Sequence, residues 1–316
     1  MRAFITGITG FAGTHLAEHL LASGDCVAGC SRSGRWQAER LPDTPEAIEL
    51  LAWDIAADIP GAVRSRVAAI QPDCVFHLAA VSVPRECGQH DPTGRAWAVN
   101  VQGTRRVLDL AASLPNTPRV ILVSSSHVYA TPPVEDLVVD EDAPCEPVGA
   151  YGRTKLAAEG ELLRAVAVNS IDGIVARTFL HAGPRQDPRL MLSHWCRQMV
   201  DDHVETISVL NLDSRFDMSD VRDIVRAYRL LAVRGKPGTY NVGSGICRHS
   251  GEIFELLRSV AGCQKSTVET APGVRCQPVA DVGRLKRDTG WQPEIDLQTT
   301  LRDALAYWKT VVNGAQ

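Results

Sequence analysis

The chain is predicted to be an α/β protein: a doubly wound parallel sheet carrying a smaller, interleaved C-terminal lobe. Along residues 1–180 short apolar runs alternate with helix-period stretches, the order that forces parallel strands joined by right-handed crossovers. The first run, Arg2-Ala3-Phe4-Ile5-Thr6, leads directly into Gly7-Ile8-Thr9-Gly10-Phe11-Ala12-Gly13 and then into a helical pattern marked by Leu16, Leu20 and Leu21. A length of 316 residues at 45% apolar content is enough to bury a large core.

Strand 2–6 opens the sheet. The glycines after it meet three needs of a strand–turn–helix that cradles a dinucleotide: a tight turn, close approach of backbone to a pyrophosphate, and close packing of helix on strand. Their spacing here is Gly-x-x-Gly-x-x-Gly, and helix 12–22 follows. Further strands are expected at 26–31, 48–53, 73–78, 119–124 and 172–177, and helices at 60–70, 94–113 and 151–168. Helix 94–113 carries Ala96, Val99, Gly103, Val107, Leu110 and Ala111, and helix 151–168 carries Leu156, Ala157, Leu162, Leu163, Ala165 and Val166. One stripe per helix covers a sheet, so the surplus predicts a second contact and a homodimer. Beyond residue 180 the alternation weakens. Stretches 181–209 and 246–280, rich in Pro, Cys and polar residues, predict the small lobe, while 216–245 is expected to return to the main sheet. Residues 1–180 are thus expected to form a dinucleotide-binding domain and 181–316 mainly a substrate-binding lobe, with the ligand cleft outside the carboxyl ends of the strands.

A formal net charge of −4 offers no basic surface for nucleic acid. No run approaches the roughly 18 apolar residues of a membrane span, and strand 2–6 leaves no room for a signal peptide, so a cytoplasmic protein without membrane contact is expected. Nine cysteines, an odd count without a Cys-x-x-Cys pair, predict reduced thiols and neither a metal cluster nor a disulfide framework.

The chemistry points to Tyr151-Gly152-Arg153-Thr154-Lys155. Residues four apart share a helical face, so Tyr151 and Lys155 stand together. A free phenol, with a pKa of about 10, is a poor base at neutral pH, and a neighbouring ammonium is expected to favour its ionised form. With Gly7, Gly10, Gly13, Tyr151 and Lys155 together, the chain resembles the extended branch of the short-chain dehydrogenase/reductase superfamily, which acts on nucleotide sugars. The resemblance covers almost the whole length. Asp54, Phe76-His77-Leu78-Ala79-Ala80, Val123-Ser124-Ser125-Ser126-His127-Val128-Tyr129, Ala176-Arg177-Thr178-Phe179-Leu180-His181-Ala182-Gly183-Pro184, Tyr240-Asn241-Val242-Gly243-Ser244-Gly245 and Thr289-Gly290-Trp291-Gln292-Pro293 all fit it. Asn211-Leu212-Asp213-Ser214 and the C-terminal third look most like the GDP-mannose 4,6-dehydratase and GDP-4-keto-6-deoxymannose reductase group.

The resemblance implies a Rossmann-like fold, with Ser125, Tyr151 and Lys155 as the catalytic set. It implies cofactor contacts from Gly7, Thr9, Gly10, Phe11, Ala12, Gly13, Ser31, Arg32, Asp54, Ile55, Leu78, Ala79 and Ala80, besides Tyr151 and Lys155. Ser126, His127, His181, Arg215 and Arg275 are the expected substrate contacts, and a four-helix bundle of the two apolar helices with their partners, with Ala157, Ala158 and Gly160 allowing close approach, is the expected dimer interface. Strand 26–31 ends in Ser31 and Arg32 where an NAD enzyme usually carries a carboxylate, and a guanidinium suits a 2′-phosphate, so NADP is favoured, with NAD possible. His127 stands where the dehydratases carry a glutamate base, which shifts the expectation toward a 4-keto reductase, with a 4-epimerase or 4,6-dehydratase as the alternative. A non-catalytic dinucleotide sensor is a further alternative, which the intact Ser125, Tyr151 and Lys155 oppose. Three departures stand at the substrate end: Leu180 for Asn, Phe216 for Arg, and Ala271 where another Arg is usual. Arg215 and Arg275 lie close enough in sequence to take over the diphosphate.

Overall fold

The computed structural model describes residues 1–37, 42 and 45–314. The first half contains β1 (Arg2–Thr6), α1 (Phe11–Ala22), β2 (Cys26–Ser31), β3 (Glu49–Ala52), α2 (Gly61–Ile70), β4 (Cys74–His77), α3 (Pro84–Cys87), α4 (Gly94–Trp97), α5 (Gly103–Ala112), β5 (Arg119–Ser125), β6 (Val138–Val139), α6 (Ala150–Asn169) and β7 (Gly173–Thr178). The second half contains β8 (Leu180–Ala182), α7 (Met191–Val200), β9 (Thr206–Val209), β10 (Ser214–Asp220), α8 (Val221–Arg234), β11 (Gly238–Val242), β12 (Cys247–His249), α9 (Ser250–Ala261), β13 (Ser266–Glu269), β14 (Arg275–Cys276), β15 (Val279–Ala280), α10 (Gly283–Thr289) and α11 (Leu297–Asn313).

Seven parallel strands in the order β11-β7-β5-β4-β1-β2-β3 form the main sheet, whose winding reverses between β1 and β4. Strand alternation sends side chains to two faces, and both faces are buried. Ile5, Phe76, Ile121 and Ala176 join the core beneath α1, α8 and α10, with Leu16, Tyr228 and Trp291. Phe4, Val75, Leu122 and Val175 join the core beneath α2, α5 and α6, with Val67, Leu110 and Leu162.

The lobe has its own core of Trp195, Phe216, Phe254, Leu301 and Trp308. Its sheet runs β12-β10-β14 with β8 also on β10, and β9 pairs with β13. The return to the main sheet therefore begins at Val221 rather than at residue 216. Residues 214–220 form β10 of the lobe, and α8 and β11 go back to the main layer. Alternation within a strand pattern says nothing about which sheet it joins, which is why the sequence expectation misplaced this segment. The expected helix 94–113 is also interrupted: between α4 and α5 the chain makes a π turn over Ala98–Gln102.

Two polar devices tie the lobe to the main domain. Arg185, in the left-handed region at φ 69°, grips Glu18 of α1 through two contacts of 2.6 Å and donates to His15 Nδ1 at 3.1 Å. That leaves the other ring nitrogen to donate to Pro184 O at 3.0 Å, and burial brings the His15 pKa down to about 4, so the ring is neutral. Asp217 of β10 accepts from Ser244 N and Oγ at 2.8 and 2.6 Å, from Gly245 N at 2.8 Å and from Ala280 N at 3.2 Å. One buried carboxylate thus holds the turn after β11 and the strand β15, which itself pairs with β6. Asp217→Ala strands several buried donors at about 1–3 kcal/mol each, so the chain should lose at least about 3 kcal/mol in urea unfolding, with the loss sensed equally by probes in lobe and main domain.

Candidate active site

At the end of β1 the chain turns through Gly7 at φ +72°, and Gly10 N closes the turn onto Gly7 O at 2.9 Å. No side chain fits here. A Cβ on Gly7 would lie 2.7 Å from Ala79 Cα, and one on Gly13 would lie 2.3 Å from Gly7 O. Helix α1 then begins without a side-chain cap and without an acidic residue in its first turn, so its leading N–H groups stay open to an anion. Thr9 is buried beside the turn, Phe11 and Ala12 are half-buried, and Leu78, Ala79 and Ala80 line the seam where β4 ends. A backbone cradle of this kind fits a dinucleotide pyrophosphate.

The other cofactor candidates fall into place unevenly. Ser31 is buried and its hydroxyl accepts Gly34 N at 3.1 Å, capping a turn. Arg32 is exposed at the strand end. Asp54 accepts Ala56 N at 3.0 Å with one oxygen. Ile55 is a core residue against Gly103, so only its backbone is available to a ligand.

Helix α6 lies across the end of β5, close enough that a Cβ on Gly152 would come within 2.1 Å of His127 O. Two consecutive β5 residues then hold two residues of the helix. Lys155 Nζ donates to Val123 O at 2.8 Å and Ser124 Oγ donates to Glu159 at 2.5 Å, while the hydroxyl of the next residue, Ser125, accepts His127 N at 3.3 Å. Lys155 Nζ sits 5.9 Å from the centre of the Tyr151 ring. Burial pushes the Tyr151 phenol up to about 12, against the opposing influence of Ser125, and brings the Lys155 ammonium down to about 8. In the free chain desolvation leads the shift of the phenol, which keeps its proton at neutral pH.

Asn100 is a residue the sequence reading did not single out. It sits in the π turn, accepts Val81 N at 2.8 Å, donates to Val81 O at 3.1 Å and donates to Thr154 Oγ1 at 2.9 Å. It thereby clamps the loop after β4 to the helix bearing Tyr151 and Lys155. A π bulge inside a helix is a frequent mark of a functional position. Behind it, His77 Nε2 donates to Thr104 Oγ1 at 2.9 Å, because that hydroxyl gives its own proton to Asn100 O at 2.7 Å. Thr6 Oγ1 then donates to His77 Nδ1 at 2.6 Å, and burial keeps the ring neutral, its pKa lowered to about 3.

Ahead of α6 opens a cleft bounded by Ser126, His127 and Tyr129 on one side and by Cys276, Gln277 and Pro278 of the lobe on the other; Tyr151 is not among its lining residues but touches it through His127. The His127 ring meets Tyr151 edge-on at 5.5 Å, and desolvation lowers its pKa below the usual value. His181 stacks on Phe11 at 5.7 Å and donates from Nδ1 to Phe179 O at 3.0 Å. Its register partner Ser219 has a buried hydroxyl without a partner among the described residues, a further polar group that the sequence reading missed.

The two arginines expected together are separated by register. Arg215 pairs with Cys276 and Arg275 with Ser214, so adjacent-residue alternation puts Arg215 on the strand face of the cleft-lining Cys276 and Arg275 on the opposite face. Phe216 is in the lobe core and Leu180 packs against it.

The family model for the NAD dependent epimerase/dehydratase family matches residues 3–243. The chain belongs to that family. It is similar to a GDP-6-deoxy-D-mannose reductase from Pseudomonas aeruginosa, 29% identical with 98% of each chain covered, and to a dTDP-glucose 4,6-dehydratase from Streptomyces griseus, 30% identical over 96% of this chain and 93% of the other. Among solved structures it is similar to RMD from Pseudomonas aeruginosa complexed with NADPH, at a TM-score of 0.79 and 27% identity, covering 98% and 99% of the two chains. The α/β Rossmann-like architecture is that of these relatives, and the chain is an enzyme of the epimerase/dehydratase family.

If Tyr151 is the acid–base residue, its neutral phenol would hand a proton to an oxygen of the substrate, with the Lys155 ammonium one helical turn away. Tyr151→Phe removes only the phenolic hydroxyl. Turnover should fall by ~10²–10⁴-fold while cofactor affinity, measured by fluorescence titration, stays near the native value, and near-normal activity in this variant would dismiss Tyr151 as the acid–base residue.

Proposed function

We propose that the chain is an NADP-dependent oxidoreductase acting at C4 of a nucleotide-linked sugar, as a reductase of a GDP-4-keto-6-deoxyhexose. The observation that carries this reading is the Ser125, Tyr151 and Lys155 arrangement with a neutral phenol, the protonation state that reducing a ketone requires. Ser125 orients the C4 oxygen and Tyr151 protonates it. Lys155 steadies the phenol and contacts the nicotinamide ribose. A bound nicotinamide supplies the hydride. His127 offers no carboxylate to remove a C5 proton, which favours reduction over 4,6-dehydration, and the names of the similar proteins agree with a nucleotide-sugar substrate. Arg215, on the cleft-side face of β10, is the residue we assign to the diphosphate.

For the cofactor, exposed Arg32 at the end of β2 supports NADP over NAD, since no carboxylate pairs with it among the described residues and its fork is open to a 2′-phosphate. NADPH mixed with the purified chain and GDP-4-keto-6-deoxymannose should lose absorbance at the reduced-nicotinamide band in proportion to product. Turnover without net change would identify a 4-epimerase or dehydratase instead. In Arg32→Ala the affinity for NADPH should drop by about 10- to 100-fold and that for NADH far less, because a charge-assisted bond contributes ~1.5–3 kcal/mol. Equal affinity of the native chain for both cofactors would refute the NADP assignment.

We also propose a homodimer built on the outer face of α6. Gly160, Leu163 and Ala167 lie along one exposed stripe, Leu163 is 63% exposed, and a Cβ on Gly160 would meet nothing within 4 Å. Light scattering at micromolar concentration should give twice the 34.2 kDa of one chain, and a mass near one chain would refute the dimer.

A further inference from the structure

Behind Lys155 lies a charged pair that proton transfer at Tyr151 does not require. Glu159 and Arg177 are 3% and 8% exposed. Arg177 meets Glu159 through Nε at 3.1 and 3.3 Å and through a terminal nitrogen at 2.9 Å, and Ser124 Oγ adds its hydrogen bond to the same carboxylate. The remaining corner of the guanidinium donates to Tyr129 OH at 3.2 Å and to Glu141 O at 3.0 Å, and its plane lies 4.9 Å over the Tyr129 ring. Tyr129 lines the cleft and donates to Asn241 Oδ1 at 2.6 Å.

Packing alone does not call for this pair. Ala158, Leu162 and Ala165 already fasten α6 to the sheet, and burying two charges costs desolvation that apolar residues of similar size avoid. Its position is more telling. Glu159 lies one turn beyond Lys155 on the same face of α6, and the two hang from adjacent residues of β5. We propose that the Glu159–Arg177 pair is a positioning element for Lys155, holding α6 in one rotation against β5 and setting the charge that the ammonium experiences. This rests on reading Tyr151 and Lys155 as the acid–base pair.

The surroundings of Lys155 make the electrostatic half specific. Burial drives its pKa down, and Cys87 of α3 and Glu159 oppose that. His77 of β4 and the Tyr151 phenol are uncharged at neutral pH, and the Cys87 thiol, pushed up to about 11, carries charge only above that value. Glu159, ion-paired with Arg177, is the carboxylate in this set. Below a midpoint of about 8 Lys155 is a cation, and the cation is lost as pH rises through that value. Removing the carboxylate should lower the midpoint, and removing the guanidinium should raise it.

The test needs neither cofactor nor substrate, so its failure is separable from failure of the proposed reaction. The chain has five lysines, Lys155, Lys236, Lys265, Lys286 and Lys309, and carbon-13 labelling of lysine lets each Cε be followed by NMR against pH, with Lys155 identified by the signal missing in Lys155→Arg. Glu159→Gln should move the Lys155 midpoint down by about one pH unit and Arg177→Met should move it up, the directions expected when an opposite or a like charge is removed. Glu159→Gln/Arg177→Met, with both charges gone, should return close to the native midpoint. Shifts in the same direction in both single variants, which loosened packing and water entry would give, overturn the proposal, as does no shift in either. If a single variant does not fold, Glu159→Gln/Arg177→Lys is compared with the double neutral variant. The uncompensated cation must pull the midpoint lower, and equal midpoints overturn the proposal.

Discussion

The site depends on the rotation of one helix against the end of one strand. A helix that bears an acid–base pair is of use only if both side chains face the ligand, and a slip of one residue turns each through 100°. In this chain that slip is prevented twice over by consecutive residues of β5: a carbonyl for Lys155 and a hydroxyl for Glu159. The absent side chain of Gly152 lets the helix sit directly on the strand end, and Asn100 fixes the far side through Thr154. The parallel sheet matters because it delivers β5 and β7 side by side, with Ser124 and Arg177 in register around the same carboxylate.

What the sequence made legible was what is local. A glycine forced to φ +72°, glycines pressed against carbonyls, and a Tyr and Lys four apart on one face are properties of a few adjacent residues, and a strand–turn–helix pattern carries them unaided. Both faces of the main sheet could likewise be read from continuous apolar strands. The residues that escaped are those whose meaning lies in a partner far along the chain. Asn100 is 54 residues from Thr154, and Asp217 holds groups 27 and 63 residues away. The π turn escaped for another reason: the apolar spacing from Ala96 to Ala111 continues through it, so the pattern of one long helix survives a local change of hydrogen bonding.

At the substrate end the difficulty is register. Arg215 and Arg275 are both exposed and both belong to strands beside the cleft, yet pairing puts them on opposite faces. No count of charges could separate them. The same register explains Phe216: next to Arg215, it necessarily faces the other way, into the packed interior among Trp195 and Phe254. A cation there would face the lobe core.

Burial acts on Tyr151 and Lys155 in opposite senses and leaves both closer to neutrality than in water: the phenol holds its proton more tightly and the ammonium holds its own less tightly. An isolated pair in such a place would drift toward phenol and free amine, with little charge to offer a reacting oxygen. Keeping a cation there calls for a negative charge within reach, and a buried carboxylate needs cations or donors around it to stay ionised. The fold meets both demands with a carboxylate held by a guanidinium and a serine hydroxyl, buried one turn beyond the lysine on the same helix.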